Sequence, residues 1–405
     1  MDFITGVYLF FIFVSLYVSF LFILIYFKNR DDLYRYELMK KLPSISVLIP
    51  AYNEEESIRE TIESVKNLEY PKELIEIIAV NDGSKDRTLE ILKSINGIKI
   101  LSKENSGKAD SLNKALEIAK GEIIAINDAD SFPEKDAFLK MVYYFKDEKV
   151  GAVTGSVFVK NRNNLLEKLQ SIEYMMIAFG RKLFEYIDSV FVTPGALSMY
   201  RKSALMEVKG FDSNNLTEDI EIAWNLLSKL YKVKMCLAAK TYTIVPSNFK
   251  LWWRQRLRWD IGGFQTLNKY KHAMFRNKYG VLGGFVVPFF SSYVLLSFIG
   301  FFISLFMIAR RITVEGFSFY NSYFNDADLF RIEEFHLIPN VFTFFGIFLF
   351  FVFLTYTAIG LKMVNKEKQN IGKTNMLIYL LFYLMLTPIL LIHSIYRMLI
   401  GKLQW

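Results

Sequence analysis

Residues 6–27, GVYLFFIFVSLYVSFLFILIYF, carry no charged side chain. As a helix, at ~1.5 Å per residue, such a run crosses ~30 Å of hydrocarbon. In lipid every backbone N–H and C=O must find its partner within the chain, which restricts the run to a helix and the protein to a membrane architecture. A cleaved signal peptide fits poorly, because nothing basic precedes the run, it exceeds the usual apolar core, and no small-residue cleavage pattern follows. Three further apolar stretches occupy residues 281–309, 337–360 and 376–395. The first is long for one span and contains Pro288, which predicts a tilted or kinked helix, or an interfacial helix leading into a span. Four crossings are therefore expected. Composition agrees: of 405 residues 52% are hydrophobic, with 38 phenylalanines and 23 tyrosines, more than a water-soluble domain carries.

Basic residues set the expected orientation. Lys28, Arg30, Arg35, Lys40 and Lys41 follow the first span, and Lys362, Lys366, Lys368 and Lys373 lie between the last two, which places both segments on the cytoplasmic side. A loop over residues 310–336 then falls outside, with Glu315, Asp326, Asp328, Glu333 and Glu334 in it, and Arg310 and Arg311 going against the rule. Three parts follow: a membrane helix and link over 1–41, a cytoplasmic domain over 42–275, and a C-terminal membrane domain of about three helices over 276–405. The expected location is the cell membrane, crossed several times. The net charge of +8 gathers near membrane flanks and candidate site residues, so anionic lipid head groups or an anionic substrate explain it better than nucleic acid. One cysteine, Cys236, and three histidines argue against a disulfide framework or a Cys/His zinc cluster.

Between residues 42 and 275 short apolar runs alternate with amphipathic segments: SISVLIP then EEESIRETIESVKNL, IEIIAVND then SKDRTLEILKSI, IKILSK then KADSLNKALEIAK, EIIAIND then PEKDAFLKMVYYF. That is the pattern of an α/β fold, a mostly parallel sheet between helices, whose ligands sit at the C-terminal ends of the strands. Residues 151–159 predict another strand and 164–187 a helix with Tyr174, Met175, Met176 and Phe179 among its apolar positions, as core packing or as a face toward lipid or a growing chain, with no chemistry assigned. No GxGxxG or GxxxxGKS/T run supports a dinucleotide or P-loop site.

The polar residues at the strand ends are the candidates. Tyr52 and Glu54 follow the first strand, and Asp82 in NDGSKD follows the second, where Ser84 or Asp86 is able to cap the next helix. Asp82 reads equally as a turn residue or a ligand. Asp128 and Asp130, separated by one residue at the end of the fourth strand, point the same way and are able to hold a divalent cation between them and a diphosphate, with Pro133 opening a helix. An isolated DxD also occurs in solvated turns. TPGALSMYRKSAL, residues 193–205, reads as loop, short strand and helix start, with Pro194 and Gly195 available to shape a surface. In NLTEDIEIAWNLLSKL, Thr217 caps a helix whose first turn holds Glu218 and Asp219, as dipole partners or as a proton acceptor.

KLWWRQRLRW precedes the long apolar run. On a helix over 249–270, Gln255 and Trp259 share one face and Arg254 and Arg258 another. Indole stacks on sugar faces and guanidinium chelates phosphate. A Trp/Arg belt at a membrane boundary is the plain alternative.

Asp82, Asp128-x-Asp130, Thr217-Glu218-Asp219 and Gln255-Arg256-Leu257-Arg258-Trp259, in that order, together resemble the membrane-embedded processive glycosyltransferases of family 2, which include cellulose, chitin, hyaluronan and poly-N-acetylglucosamine synthases. The fuller QRLRWDIGG, with Gly262 and Gly263, is most similar to the poly-N-acetylglucosamine and hyaluronan type. The resemblance implies a GT-A nucleotide-sugar-binding domain from about Ser44 to Tyr270, inserted between transmembrane helices. It implies that Tyr52, Glu54 and Asp82 surround the nucleoside, that Lys108 lies near the nucleotide, and that Asp128 and Asp130 bind Mg²⁺ or Mn²⁺ and the diphosphate. Asp219 would be the general base, with Glu218 beside it at the acceptor. Gln255, Arg256 and Arg258 would hold the leaving diphosphate and Trp259 would stack on the acceptor sugar. Implied partners are a UDP-sugar donor, a glycan or lipid-linked acceptor and membrane lipids. The reaction would be inverting, giving a β linkage. With fewer spans than cellulose synthases, a polymer-wide channel would call for a partner subunit or an oligomer, or the product is a short glycan or glycolipid. Two other readings stay open: transfer of one sugar to a polyprenyl phosphate or other lipid, and a nonenzymatic nucleotide-sugar sensor or export scaffold.

Overall fold

In the computed structural model, residues 3–324, 341–364 and 371–401 are described. The chain opens with α1 (Phe3–Asn29) and continues through β1 (Ile45–Ala51), α2 (Ile58–Lys66), β2 (Ile75–Asp82), α3 (Thr88–Lys93), β3 (Lys99–Lys103), α4 (Lys108–Ile118) and β4 (Ile123–Ile126). After β5 (Ser131–Pro133) come α5 (Ala137–Val142), β6 (Val150–Val159), α6 (Leu165–Glu185), β7 (Ser198–Arg201), α7 (Lys202–Glu207), α8 (Glu218–Ser228), β8 (Lys232–Thr243) and α9 (Phe249–Tyr270). Three long helices end the described chain: α10 (Val287–Phe324), α11 (Val341–Val364) and α12 (Lys373–Leu399).

The strands form one sheet in the order β3-β2-β1-β4-β7-β6-β8-β5. β3, β2, β1, β4, β6 and β8 run one way, and β7 and β5 the other. The mostly parallel α/β sheet is thus as the sequence predicts. β1 and β6 are buried at every position, which is why they read as unbroken apolar runs. Ile45, Val47 and Ile49 of β1 pack with Ile58, Ile62 and Val65 of α2 in the main core. Because β1, β2 and β4 pair in parallel, their C-terminal loops emerge along one edge, where the candidate carboxylates lie.

Two local expectations fail there. Pro133 closes β5 instead of opening a helix, and α5 begins at Ala137. The cause is distant: Ser131–Pro133 pairs with Thr241–Thr243 of β8, a partner no local pattern announces. Thr217 precedes α8 but its hydroxyl donates to Asn215 Oδ1 at 3.2 Å and makes no cap bond.

Among the described residues four helices are long and apolar enough to cross a membrane: Gly6–Asn29, Leu282–Asn321, Gly346–Val364 and Lys373–Leu399. They mark the chain as a membrane protein. The third-last of these differs from expectation. A π-helical turn, Leu282–Val286, leads into α10 around Pro288, and the helix then runs to Phe324. Residues 310–324, expected in a loop, are helical, since no proline breaks the chain between Pro288 and Pro339. Asp326, Asp328, Glu333 and Glu334, and Lys366 and Lys368 of the other connection, lie outside the described residues.

Contacts divide the chain into two compact units, one of Met1–Leu24 with Ser291–Ala358, the other of Ile25–Phe290 with Ile359–Trp405. In the first, Phe10, Phe13, Tyr17, Phe302 and Phe306 are exposed, a surface suited to lipid rather than water. The second holds the sheet, and within it α12 packs on α6 and α9: Trp252 is buried against Leu257 and Leu390, with Phe382 and Tyr383 beside it.

Candidate active site

The loops after β1 and β2 are tied to each other. Asn53 N–H donates to Ser84 Oγ at 3.1 Å, Lys85 N–H to Asn53 Oδ1 at 2.8 Å, and Glu54 N–H to Thr88 Oγ1 at 2.8 Å. Asp86, one of the two expected caps, accepts from Thr88 N–H at 3.0 Å at the start of α3. Tyr52 is left 43% exposed at the mouth, open to a planar ligand. Asp82 is buried. Its carboxylate accepts the Ser106 and Gly107 N–H groups at 3.0 and 2.9 Å and pairs with Lys103, so it shapes the loop that delivers Lys108 to the first turn of α4.

Lys108 is the hub. Its ammonium lies 2.6 Å from Asp128 Oδ1 and 2.8 Å from Glu218 Oε1. Burial works against its charge, but Asp128, Glu218 and Asp219 outweigh burial and hold it protonated well above the ordinary lysine range. Gly195 passes close by: its carbonyl accepts from Asp128 N–H at 3.0 Å, and a methyl group at residue 195 would overlap both the Lys108 ammonium and the Asp128 carboxylate. The Pro194-Gly195 turn is therefore part of the site wall.

The carboxylates here outnumber their cations. Burial first, then the charge of Asp128, pushes Asp130 up to about 6, against hydrogen bonds from Ser131 and Thr243. Burial, with smaller contributions from Asp130, Asp128 and Asp86, pushes Glu54 up to about 7, opposed by the Ser57 hydroxyl at 2.8 Å. Burial also raises Glu218, but Lys108 more than offsets it and holds this carboxyl low. Its neighbour Asp219 is pushed up to about 6, by burial and then by Glu218, with Lys108 and Arg258 opposing. Adjacent carboxylates with divergent proton affinities are how acid and base roles are separated at neutral pH.

The α9 helix begins at the predicted residue, with Asn248 capping it through a bond from Leu251 N–H at 2.9 Å. It approaches α8 through Gly262, where a methyl group would collide with the Thr217 side chain. This geometry divides the QRLRW residues. Arg258 acts electrostatically on Glu218 and Asp219. Arg256 is 6% exposed and turns elsewhere: it pairs with Glu173 of α6, donates to Gln255 Oε1 at 2.6 Å, and stacks over Trp259 at 4.1 Å. Tyr383 of α12 donates to the same Glu173 carboxylate at 2.6 Å. Trp259 is partly exposed, with its ring 6.5 Å from that of Tyr174.

Three residues of α6 went unread as site candidates. Glu173 anchors Arg256. Tyr174, expected as core packing, is pushed up to about 12 by burial while it feels Arg256, Asp130 and Arg181. Arg181 is pushed down to about 10 by burial, with Asp219 opposing; its Nη1 lies 3.4 Å from Thr154 Oγ1 and its Nε has no hydrogen-bond partner among the described residues. The available signal was charge on an otherwise apolar helix face. Met175 and Phe179 are buried as expected.

Residues 46–209 match the family described as glycosyl transferase family 2. A poly-beta-1,6-N-acetyl-D-glucosamine synthase of Staphylococcus aureus (strain COL) is 35% identical over 256 residues, 60% of this chain and 61% of the relative. A synthase of the same name from Staphylococcus epidermidis is 37% identical over 245 residues, 59% of each chain. The matched part thus spans about three fifths of the relatives' length. The mannosyltransferase PcManGT from Pyrobaculum calidifontis, solved in complex with GDP-Man and Mn²⁺, shares the fold with a TM-score of 0.52 and 17% identity, covering 89% of this chain and 99% of that one. The fold is GT-A-like, flanked by long apolar helices.

Proposed function

We propose that this chain, whose residues 46–209 form a glycosyl transferase family 2 domain, transfers a sugar from a UDP-sugar to the hydroxyl of a growing glycan at the cytoplasmic face of the cell membrane. The names of the matched relatives favour N-acetylglucosamine as that sugar. One observation carries the reading: a single ammonium, that of Lys108, joins Asp128 of the DxD pair to Glu218, the neighbour of Asp219. A diphosphate-side carboxylate and a base-side carboxylate therefore border one space.

The donor set suits a hard divalent cation. Among the described residues no three His, Cys, Asp or Glu side chains gather to hold a metal, but Mg²⁺ and Mn²⁺ in phosphate chemistry take one or two carboxylates and complete their shell with substrate oxygens and water. Asp128 and Asp130 would hold the ion; burial and then the charge of Asp128 raise the proton affinity of Asp130, and a cation would relieve the second of these. When bound, such an ion neutralises charge on the departing diphosphate.

This chain's own residues account for the rest. Tyr52 offers an exposed ring to the base of the nucleotide, and Asp82 fixes the loop that carries Lys108. Asp219, deprotonated above about pH 6, takes the proton of the acceptor hydroxyl as its oxygen attacks the anomeric carbon and the bond to the diphosphate breaks. Arg258 and Lys108 stand near the leaving oxygens, Gln255 adds an amide donor, and Trp259 gives the acceptor sugar a stacking face. Arg256 acts on this geometry by holding Trp259 in place. One direct displacement inverts the anomeric centre, so an α-linked donor yields a β linkage.

The test is turnover. Purified protein in lipid, supplied with Mg²⁺ or Mn²⁺ and a panel of labelled UDP-sugars, should convert one donor, UDP-N-acetylglucosamine, into a ladder of high-mass product. A single lipid-linked sugar would instead identify a one-step lipid glycosyltransferase, and binding of a UDP-sugar with no transfer to any acceptor would favour a sensor.

A further inference from the structure

α9 has a second cationic face. Lys250, Arg254 and Arg258 recur every four residues and line a cavity of about 910 Å³, closed on its far side by His393 and Arg397 of α12. Among the described residues that line it none is acidic. Gln255 also lines it, so with Arg258 the cavity borders the residues proposed for the leaving diphosphate, but its described lining lacks the carboxylates that prevail around Lys108. Phe249, Trp253 and Leu257 supply an apolar wall. The indole N–H of Trp253 donates to His393 Nδ1 at 3.1 Å, which fixes the ring's orientation and leaves Nε2 as the position that carries a proton.

We propose that this cavity binds the phosphate of an anionic phospholipid, with the acyl chains lying along α12. Several cations converging on one space, with no carboxylate among the described lining residues, call for phosphate chemistry. The surroundings choose the source. Leu377, Leu381, Leu384, Met385, Ile389 and Tyr396 form an exposed apolar stripe along α12, while the opposite side of that helix packs on Trp252 and pairs through Tyr383 and Ser394. Phe249 and Leu251 are also about half exposed at the start of α9. A soluble phosphate would use the cations and leave these apolar surfaces bare; a phospholipid uses both. The proposal rests on the reading of this chain as a membrane protein but not on its chemistry. Arg258 belongs to both faces of α9, so an occupied cavity would also steady the helix that carries Trp259.

The full-length protein, reconstituted in nanodiscs of phosphatidylcholine with a minority of phosphatidylglycerol and then extracted into detergent, is assayed for retained phospholipid by head group. Wild type should retain phosphatidylglycerol in preference. The double variant Lys250→Gln/Arg254→Gln should retain roughly tenfold less, because each basic side chain near an anionic head group contributes to affinity. Its binding of UDP with Mn²⁺ should be unchanged, which also reports folding. Arg397→Gln, on the other helix, should show a smaller loss and serves if the double variant fails to fold. Retention without head-group preference, or equal retention by the variants, overturns the proposal. So does displacement of the lipid by inorganic phosphate or UDP, which would assign the cavity to a soluble anion. Retention is read without turnover, so a failed transfer assay leaves this result standing, and the reverse.

Discussion

Two cations organise the unit that holds the sheet, Lys108 partly exposed and Arg256 buried, and they differ in what surrounds them. Lys108 faces Asp128, Glu218 and Asp219, with Asp130 and Glu54 nearby. Arg256 has one carboxylate, Glu173, completed by a tyrosine hydroxyl and an amide oxygen. The second group is balanced and holds α6, α9 and α12 together. The first carries more negative charge than it can neutralise, and such a surplus is costly unless a ligand joins it. The contrast separates a site from its scaffold, although both have an arginine or lysine in a sequence motif.

Mutations should pull the two apart. The largest effect is expected from Asp219→Asn, which removes the proposed base and leaves the DxD pair intact. Transfer should fall by about 10²–10⁴-fold while UDP binding with Mn²⁺ persists, measured by turnover and by calorimetry. Next is Arg256→Met, which strands the Glu173 carboxylate in a buried position and should cost about 3–5 kcal/mol of stability in denaturant unfolding. Replacing Glu173 as well, with leucine, should restore much of that loss. Trp259→Ala should raise the acceptor KM with little change in donor binding, by an energy of about 0.5–1.5 kcal/mol beyond lost area; equal losses in both would make Trp259 structural.

The smallest effects are in pH. Transfer should decline as pH falls through about 6, where Asp219 gains its proton. Stability of the metal-free protein should respond in the opposite sense. Asp130 and Asp219 have folded-state values near 6, above the ordinary aspartate value of about 3.9. Their contribution is therefore full below about pH 4 and is lost as pH rises through about 6. Thermal melts across that window should show this decline, reduced in Asp130→Asn.

The same contrast explains what was legible in the sequence. The strand-end residues could be placed because parallel strands announce themselves as apolar runs and their C-terminal ends collect ligands. The bounds of α9 match the helix supposed over residues 249–270. Neither the partner of Arg256 nor the strand β5 could be read this way, although the short strand β7 was legible within residues 193–205. Glu173 lies 83 residues before Arg256 and Tyr383 210 residues after Glu173, and β5 finds β8 across more than a hundred residues. The resemblance gives Arg256 and Arg258 one role, and positions two apart on a helix face different neighbours: Arg256 meets Glu173, and Arg258 acts on Glu218 and Asp219. Arg181 was overlooked for a related reason: a charge on an apolar helix carries meaning only once its facing residue, Asp219, is known.

The most direct measurement is thermal unfolding of wild type, Lys108→Met and Arg256→Met, each with and without Mn²⁺ and UDP. If the Lys108 cluster is a ligand-requiring site and the Arg256 pair a scaffold, Mn²⁺ with UDP should stabilise wild type. It should stabilise Arg256→Met by about the wild-type shift, leaving that variant's deficit from the stranded Glu173 intact, and stabilise Lys108→Met by more, narrowing its deficit. Identical shifts in the two variants, or no shift in wild type, would contradict that division and the assignment of Asp128 and Asp130 to the donor diphosphate.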